Sequence, residues 1–254
     1  MRARGRIVLG GTFDRLHVGH EALLTTAFRS GRLVGIGLTT GRYLAAHRKP
    51  GAERIQPYSV RRRRLSAWLG ARYPRSRWTI TPISDPFGGS IGPGVAGLVV
   101  SADTVAGGRA VNAERARRGR RPVPLLVVPL VLADDLRPVS SRRIRAGEID
   151  RDGRRRSSLR VGVAVTRRAD RPAVVRAVRA AFPRARIVAP GSAAALVLSV
   201  RGAGRSERSV RLRGGPVALA PVRLPAATPD ELTNALDGLL RRSRGSNRLS
   251  RPSR

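Results

Sequence analysis

Short apolar runs without polar alternation recur along the first 150 residues, and amphipathic stretches separate them. An uninterrupted apolar run is typical of a strand buried on both faces, and apolar residues three or four positions apart indicate a helix. The predicted strands are residues 6–11, 32–40, 77–83, 97–103 and 124–131, and the predicted helices are residues 19–31, 59–73, 110–119 and 140–147. Because strands and helices alternate, we expect an α/β fold with a parallel sheet and a ligand at the carboxyl ends of its strands.

The rest of the chain predicts a second, smaller α/β domain. An Arg-rich polar stretch at 150–158 has the composition of a linker. Beyond it we predict strands at 159–166 and 186–190, a strand pair from 193–201 and 208–219, and helices at 171–182 and 228–242. The Ser/Arg-rich end has the composition of a disordered tail. We therefore divide the chain into residues 1–153, 158–242 and 243–254.

Composition limits the possible functions. Aromatic residues make up 4% of the chain, so the core has to be built from aliphatic side chains. Cys is absent, which excludes a disulfide framework and fits a cytoplasmic protein. No apolar run approaches the roughly 20 residues of a membrane-spanning helix, so we expect no membrane partner.

The formal net charge of +35 has two interpretations. Arginine supplies all of the basic residues except Lys49, and it is spread over the whole chain, which favours a general arginine bias. A dedicated nucleic-acid surface is the alternative. Nonspecific polyanion binding is expected in either case, because guanidinium groups neutralise phosphates.

The first predicted strand ends in "GGTFDRLHVGH", residues 10–20, which contains two of the three histidines of the chain. Glycines permit close backbone approach, and the N-terminus of the following helix offers unpaired N–H groups to an anion. Because His17 and His20 lie where this helix starts, we predict that they donate hydrogen bonds to a bound phosphate. The third histidine, His47, is predicted to be a surface residue.

This loop resembles the signature of the nucleotidylyltransferase superfamily. Three later segments resemble, in order, the archaeal and eukaryotic type of phosphopantetheine adenylyltransferase: "GLTTGRYLAAHRKPGAERIQPYSVRRRRL", "VVSADTVAGGRAVNAERARRG" and "VSSRRIRAGEIDRDG". The four segments occur in order across residues 7–153. The resemblance implies a Rossmann-like domain that transfers the adenylyl group of ATP to 4′-phosphopantetheine, giving dephospho-coenzyme A and pyrophosphate. Mg²⁺ would be carried with ATP, and no protein metal site is expected.

The resemblance also implies roles for individual residues. His17, His20 and Lys49 are the expected catalytic residues, and Lys49 would bind the phosphate of the acceptor with Thr12 beside it. The expected nucleotide-binding residues are Gly11, Thr12, Phe13, His20, Ser101, Asp103, Arg115, Ser140, Ser141 and Arg145. Three positions depart from the family pattern: Asp103 replaces Glu, Ser59 replaces Glu, and Arg142 replaces Thr.

The sequence leaves two alternatives open for the first domain. The histidine loop is equally compatible with nicotinamide mononucleotide, flavin mononucleotide or glycerol phosphate as the acceptor. A basic nucleic-acid-binding protein on an inactive nucleotidylyltransferase fold is the second alternative.

The start of the second domain, "LRVGVAVTRRADRPAVVRAVRAAF", faintly resembles the inosine/xanthosine triphosphatase family. The Asn and Lys of that family's pattern are missing here, and acidic residues are few. We therefore expect a degenerate domain without hydrolase activity.

Overall fold

The computed structural model describes residues 3–46, 52–183, 185–191, 194–202, 207–214, 217–218, 221–226 and 228–245. Contacts between Cα atoms divide the chain into two compact units. The first unit comprises Met1–Val131 and Val139–Ala146, and the second comprises Leu132–Pro138 and Gly147–Arg254.

The first unit is a five-stranded sheet with helices on both faces. Its strands are β1 (Ala3–Gly11), β2 (Gly31–Thr39), β3 (Trp78–Ile83), β4 (Val95–Ser101) and β5 (Leu125–Val128). Its helices are α1 (Val18–Ser30), α2 (Gly41–Ala46), α3 (Tyr58–Gly70), α4 (Val105–Arg117) and α5 (Ser141–Arg145). The order is β3-β2-β1-β4-β5 with every pairing parallel, which confirms the predicted fold class.

Side chains of β1 alternate between two apolar layers, as the period of two in a strand requires. Ile7 and Leu9 pack with residues of α1 and α3, whereas Val8 faces a layer that includes Val111 of α4. From β1 the sheet extends on one side through β2 and β3 and on the other side through β4 and β5, so the order of the strands reverses between β1 and β4. In open α/β sheets, ligands bind outside the carboxyl ends of the strands at such a reversal.

The second unit contains a mixed sheet with two helices. Its strands are β6 (Arg160–Val165), β7 (Arg186–Val188), β8 (Leu196–Gly202), β9 (Glu207–Gly214), β10 (Val217–Ala218) and β11 (Val222–Pro225). Its helices are α6 (Arg171–Ala181) and α7 (Pro229–Gly245). β6 runs parallel to β7 and β8, and β8 forms the predicted antiparallel pair with β9.

The start of α7 is closed by a pair of reciprocal hydrogen bonds. Thr228 Oγ1 accepts from the N–H of Glu231, and the Glu231 carboxylate accepts from the N–H of Thr228, each over 3.2 Å. This reciprocal capping box satisfies two backbone donors that a helix start leaves open. Among the described residues, no helix has the length and apolar character needed to cross a membrane.

Residues 150–155 of the linker predicted at 150–158 are not open chain, because the segment 147–155 makes specific contacts. The Asp134 N–H donates to the Gly153 carbonyl over 3.0 Å, and Ile149 forms a β-bridge with Arg155. Arg155 Nη1 lies 3.0 Å from Oδ2 of Asp135, whose side chain is fully buried. These contacts join residues 147–155 to residues 132–138. The second unit therefore resumes at Gly147, which is earlier in the chain than the division predicted at 153–158. Of the predicted tail, residues 243–245 continue α7, and 246–254 lie outside the described residues.

One buried ion pair in the second unit provides a test of its packing. Arg208 donates from Nε and Nη2 to the two carboxylate oxygens of Asp170 over 2.7 and 3.2 Å, and both side chains are almost fully buried. Replacing Asp170 with Asn leaves a buried guanidinium without its counter-charge. We expect a loss of about 3–5 kcal/mol in the free energy of unfolding.

Asp230→Asn is the matched control, because its ion pair with Arg176 (3.1 Å) is exposed. Exposed pairs contribute about 1 kcal/mol or less. Urea unfolding followed by far-UV circular dichroism measures both variants. Equal losses in the two variants would contradict the assigned role of the buried pair.

Candidate active site

The glycine-rich loop after β1 has an unusual backbone. Phe13 has φ 48° and Arg15 has φ 49°, a region that side-chain-bearing residues rarely adopt. Such residues cost on the order of 1–3 kcal/mol each and persist where the surrounding structure fixes them. The Phe13 ring lies against Gly11, where a Cβ atom would be only 3.1 Å from the ring. The loop is therefore a strained segment held by its neighbours.

One neighbour is Arg61 of α3, whose side chain is buried. Its Nη1, Nη2 and Nε atoms donate to the carbonyl oxygens of Thr12, Thr39 and Gln56, each over 2.8 Å. Burial lowers the pKa of Arg61, and the charge of Asp14 acts in the opposite direction. One guanidinium thus joins the end of β2 and the segment before α3 to the loop.

The other anchor of the loop is Asp14, which is 1% exposed. Its Oδ2 lies 2.6 Å from Nη1 of Arg145, and its Oδ1 accepts from the N–H of Gln56 over 3.1 Å. Ser141 Oγ donates to the Asp14 carbonyl over 2.6 Å. Sequence reasoning missed two of these four residues, Asp14 and Gln56, and predicted the other two, Ser141 and Arg145, to bind the nucleotide. Together the four attach the start of α5 to the loop.

His17 caps α1. Its Nδ1 accepts from the Gly19 N–H over 3.1 Å, so the ring is neutral and carries its proton on Nε2. Burial lowers the pKa of His17 to about 4, although the nearby Asp14 charge raises it. A Cβ on Gly19 would lie 3.1 Å from the ring, which explains why a glycine separates the two histidines.

His20 lies beside His17, with ring centroids 3.9 Å apart, and 5.1 Å from the Phe13 ring centroid. Burial lowers the pKa of His20 well below its usual value, and the neighbouring His17 lowers it further. Its Nδ1 is buried without a hydrogen-bond partner. A buried unpaired nitrogen is costly, so it marks a position where a bound group can form a hydrogen bond.

Several donors of the loop have no partner within the described residues. These are the Phe13 N–H, the Thr12 hydroxyl and the His20 N–H in the first turn of α1. Unpaired N–H groups at a helix start, next to a glycine-rich turn, form a site for an anion such as a phosphate. The predicted residues Gly11, Thr12, Phe13, His17 and His20 therefore lie together.

The remaining predicted residues fall into three groups. Ser101 ends β4, which lies next to β1 in the sheet, and Asp103 follows it; Ser101 forms a capping box with Thr104. Ser140 caps α5, accepting from the Arg143 N–H over 3.4 Å, and Arg142 is exposed. Lys49 and His47 lie outside the described residues.

Arg115 has a different environment from the one predicted. It is buried on α4, and its guanidinium donates to the carbonyls of Arg121, Ser90 and Gly92 over 3.0, 2.8 and 3.2 Å. These bonds hold the loop between β3 and β4 and the turn after α4. The geometry thus gives Arg115 a structural role.

No group of three or more His, Cys, Asp or Glu side chains arranged to hold a metal ion occurs among the described residues. Asp14, the carboxylate within the loop, already accepts hydrogen bonds from Arg145 and Gln56. The described side chains at this site thus offer hydrogen-bond donors, which suit phosphate oxygens.

Comparison with known proteins places this site in a family. Residues 8–147 match the model of the family described as cytidylyltransferase-like. The match covers more than half of the chain and includes both the histidine loop and α5. The chain belongs to the cytidylyltransferase-like family.

Two archaeal relatives are phosphopantetheine adenylyltransferases, which confirms the resemblance inferred from the motifs. The chain is 40% identical over 145 residues to the protein of Methanothermobacter thermautotrophicus, covering 57% of this chain and 85% of that protein. It is 40% identical over 146 residues to that of Pyrococcus abyssi, covering 57% and 91%.

A third relative, from Thermoplasma acidophilum, is a bifunctional phosphopantetheine adenylyltransferase/NTP phosphatase. It is 39% identical over 173 residues, which is 68% of this chain and 51% of that protein. This chain therefore spans about half the length of the bifunctional relative. A match of that length extends beyond residue 147 into the second unit.

The lowered pKa of His17 predicts a pH dependence of stability. Between its usual pKa of 6.5 and about 4, the unfolded chain binds a proton that folded His17 does not. The contribution of His17 to the free energy of unfolding is therefore fully present above pH 6.5. It is lost as the pH drops toward 4, and the loss is on the order of 3 kcal/mol. His17→Gln should reduce this loss, since its amide oxygen can still accept from Gly19.

Urea unfolding at several pH values measures the effect. Both tryptophans, Trp68 and Trp78, lie in the first unit, so their fluorescence reports that unit alone. An identical pH slope in the wild type and the Gln variant would refute a neutral, buried His17.

Proposed function

We propose that the first unit transfers the adenylyl group of ATP to 4′-phosphopantetheine, giving dephospho-coenzyme A and pyrophosphate. The observation that carries this proposal is the 40% identity to archaeal phosphopantetheine adenylyltransferases, of which the chain covers 85–91%. The loop geometry supports it, because unpaired donors and two neutral histidines meet at one helix start.

In the proposed reaction an oxygen of the acceptor phosphate forms a bond to the α-phosphorus of ATP. The bond from that phosphorus to the bridging oxygen breaks, and the electron pair leaves with pyrophosphate. The attacking phosphate is already an anion, so no general base is needed. Catalysis then depends on positioning and on stabilising the charge that grows on the leaving group.

The described donors are assigned to this task. We propose that His20 and His17 donate to the ATP phosphates, and that Gly11, Thr12 and Phe13 hold the α-phosphate through backbone and hydroxyl groups. His17 can donate from Nε2 because Nδ1 is occupied by Gly19. A bound phosphate favours the protonated ring, so nucleotide binding should raise both depressed histidine pKa values.

Residues at two further strand and helix ends complete the proposed nucleotide site. Ser101 and Asp103 would contact the adenosine, since β4 adjoins β1 at the reversal of strand order. Ser140, Ser141 and Arg145 would contact the outer phosphates. Arg145 would contact them through the guanidinium N–H groups that do not bond to Asp14. We propose that Mg²⁺ enters with ATP and is held mainly by its phosphates, and that the reaction takes place in the cytoplasm.

The second unit is proposed to be a degenerate NTP phosphatase domain. The match to the bifunctional relative supports its origin. Its buried carboxylates Asp135 and Asp170 are paired with arginines, which leaves them unsuited to bind a catalytic metal. Incubation with inosine and xanthosine triphosphates tests this, and turnover of either nucleotide by the wild-type protein would contradict it. Nonspecific polyanion binding is proposed to come from the arginine excess and should weaken steeply with salt.

The adenylyl-transfer proposal is tested by pyrophosphate release from ATP with four acceptors: 4′-phosphopantetheine, nicotinamide mononucleotide, flavin mononucleotide and glycerol phosphate. We expect turnover with the first. His20→Ala should reduce kcat by on the order of 10²–10³-fold, the usual effect of removing one charge-stabilising donor. Arg29→Ala, at the exposed end of α1, is the matched control and should retain wild-type turnover.

Turnover with a different acceptor would refute the assigned substrate while keeping the reaction type. Absence of turnover with all four, together with base-selective RNA binding, would favour the nucleic-acid alternative.

Lys49, the single lysine, is proposed to bind the acceptor phosphate as a compact cation. A guanidinium has a different shape and hydration, so Lys49→Arg should not replace it fully. We expect the KM for 4′-phosphopantetheine to rise about tenfold or more, with a smaller change in the KM for ATP. Steady-state kinetics with each substrate varied in turn measures the two values. Equal increases in the two KM values would contradict the proposal that Lys49 binds the acceptor phosphate.

A further inference from the structure

Arg61 is a buried cation whose guanidinium donates its hydrogen bonds to backbone carbonyls and not to a carboxylate. Its side chain is 1% exposed, and each of its three hydrogen bonds measures 2.8 Å. Burying a charge is costly unless its hydrogen bonds are satisfied. Because the side chain is buried and each of its three nitrogens already donates to a carbonyl, Arg61 is not accessible to a substrate.

The three acceptors belong to three separate segments that meet at the carboxyl edge of the sheet. Thr12 follows β1, Thr39 ends β2, and Gln56 precedes α3. Gln56 in turn donates its N–H to Asp14 and accepts from the Arg15 N–H over 3.4 Å. Phe13 directly follows Thr12, whose carbonyl Arg61 holds. Arg15 directly follows Asp14 and donates to Gln56. Both residues with strained backbone angles are therefore next to groups that Arg61 or Gln56 holds in place.

The bond to Thr12 has a specific geometric consequence. In a planar trans peptide the C=O and the following N–H point in opposite directions. Because Arg61 holds the Thr12 carbonyl, it also fixes the direction of the Phe13 N–H, which has no partner within the described residues. That N–H is one of the donors assigned to the α-phosphate.

We propose that Arg61 is a positioning residue for adenylyl transfer: it directs the Phe13 N–H at the reacting phosphate without contacting the nucleotide itself. The inference rests on the proposed function of the first unit. Without the guanidinium, the peptide between Thr12 and Phe13 can rotate toward less strained backbone angles, and the donor leaves its place. Misplacement of a catalytic group by about 1 Å can cost on the order of 10²-fold in rate.

The surroundings of Arg61 allow a chemical test. A cavity of about 270 Å³ lies between α2 and the segment before α3 and reaches Arg61. It is lined by Leu44, Ile55, Pro57 and Tyr58, among others. If Arg61 is shortened to Ala, a free guanidinium ion can enter by this route and occupy the vacated position.

The experiment compares Arg61→Ala, Arg61→Lys and the control Arg62→Ala in the full chain. Arg62 is the next residue on the same helix, but it is exposed. We expect Arg61→Lys to remain folded by circular dichroism and to lose about tenfold to hundredfold in kcat, with the KM for 4′-phosphopantetheine nearly unchanged. Arg62→Ala should behave as the wild type.

Guanidinium chloride, far below denaturing concentrations, should restore part of the activity of Arg61→Ala. It should not restore that of Arg61→Lys, where the lysine fills the site. A folded Arg61→Lys with wild-type kcat, or a folded Arg61→Ala that guanidinium does not restore, would overturn the inference. If Arg61→Ala does not fold, the Lys variant alone decides.

A separate readout distinguishes this inference from the proposed function. Hydrogen exchange at the amides of residues 12–15 should be faster in Arg61→Lys than in the wild type or Arg62→Ala. If the wild type has no adenylyl-transfer activity, the proposed function fails while this measurement still tests the anchoring of the loop. Unchanged exchange would show that Arg61 does not hold the loop.

Discussion

The active-site architecture depends on one buried carboxylate, that of Asp14. It accepts from a backbone N–H 42 residues later, at Gln56, and from the guanidinium of Arg145, 131 residues later. Its own carbonyl accepts from Ser141. In a chain of net charge +35, a carboxylate without these partners would attract other arginines. The three specific contacts set which cation it receives and so bring the start of α5 to the histidine loop.

Some of the many arginines of this protein are buried and have a structural function. Arg61 and Arg115 are both buried and donate to backbone carbonyls, and Arg208 is buried against a carboxylate. A guanidinium carries five N–H donors in a fixed plane, so it can tie together segments that lack regular secondary structure. Arg61 holds three segments at the carboxyl edge of the first sheet in this way. In the proposed phosphate site the donors are mainly neutral groups, namely backbone N–H groups, a hydroxyl and imidazole rings.

Most of the first unit could be predicted from the sequence because its apolar pattern is strong. The strands, α1, α3 and the histidine loop follow directly from uninterrupted apolar runs and helical spacing. Arg61 was missed because it lies within four consecutive arginines, where composition indicates an exposed face. A signal was present: Leu65, Trp68 and Leu69 lie four, seven and eight residues after Arg61, so the helical period puts it on the buried side.

Asp14 and Arg115 show a different limit. The partners of Asp14 are distant in sequence, so no local pattern predicts them. Arg115 matches a family segment, yet its guanidinium is used by the loop at Ser90 and Gly92, and only coordinates can show this. The short helix α2 was also missed, because its six residues carry a single buried side chain.

The path of the chain between the two units limits how the protein can be dissected. The chain leaves the first unit after Val131, contributes Leu132–Pro138 to the second, and returns for Val139–Ala146 before leaving again. A protease that cuts once cannot release either unit intact. A fragment ending at Ala146 would lose residues 147–155, the partners of the segment just ahead of Ser140 and Ser141. A fragment that retains these partners must therefore extend at least through Arg155.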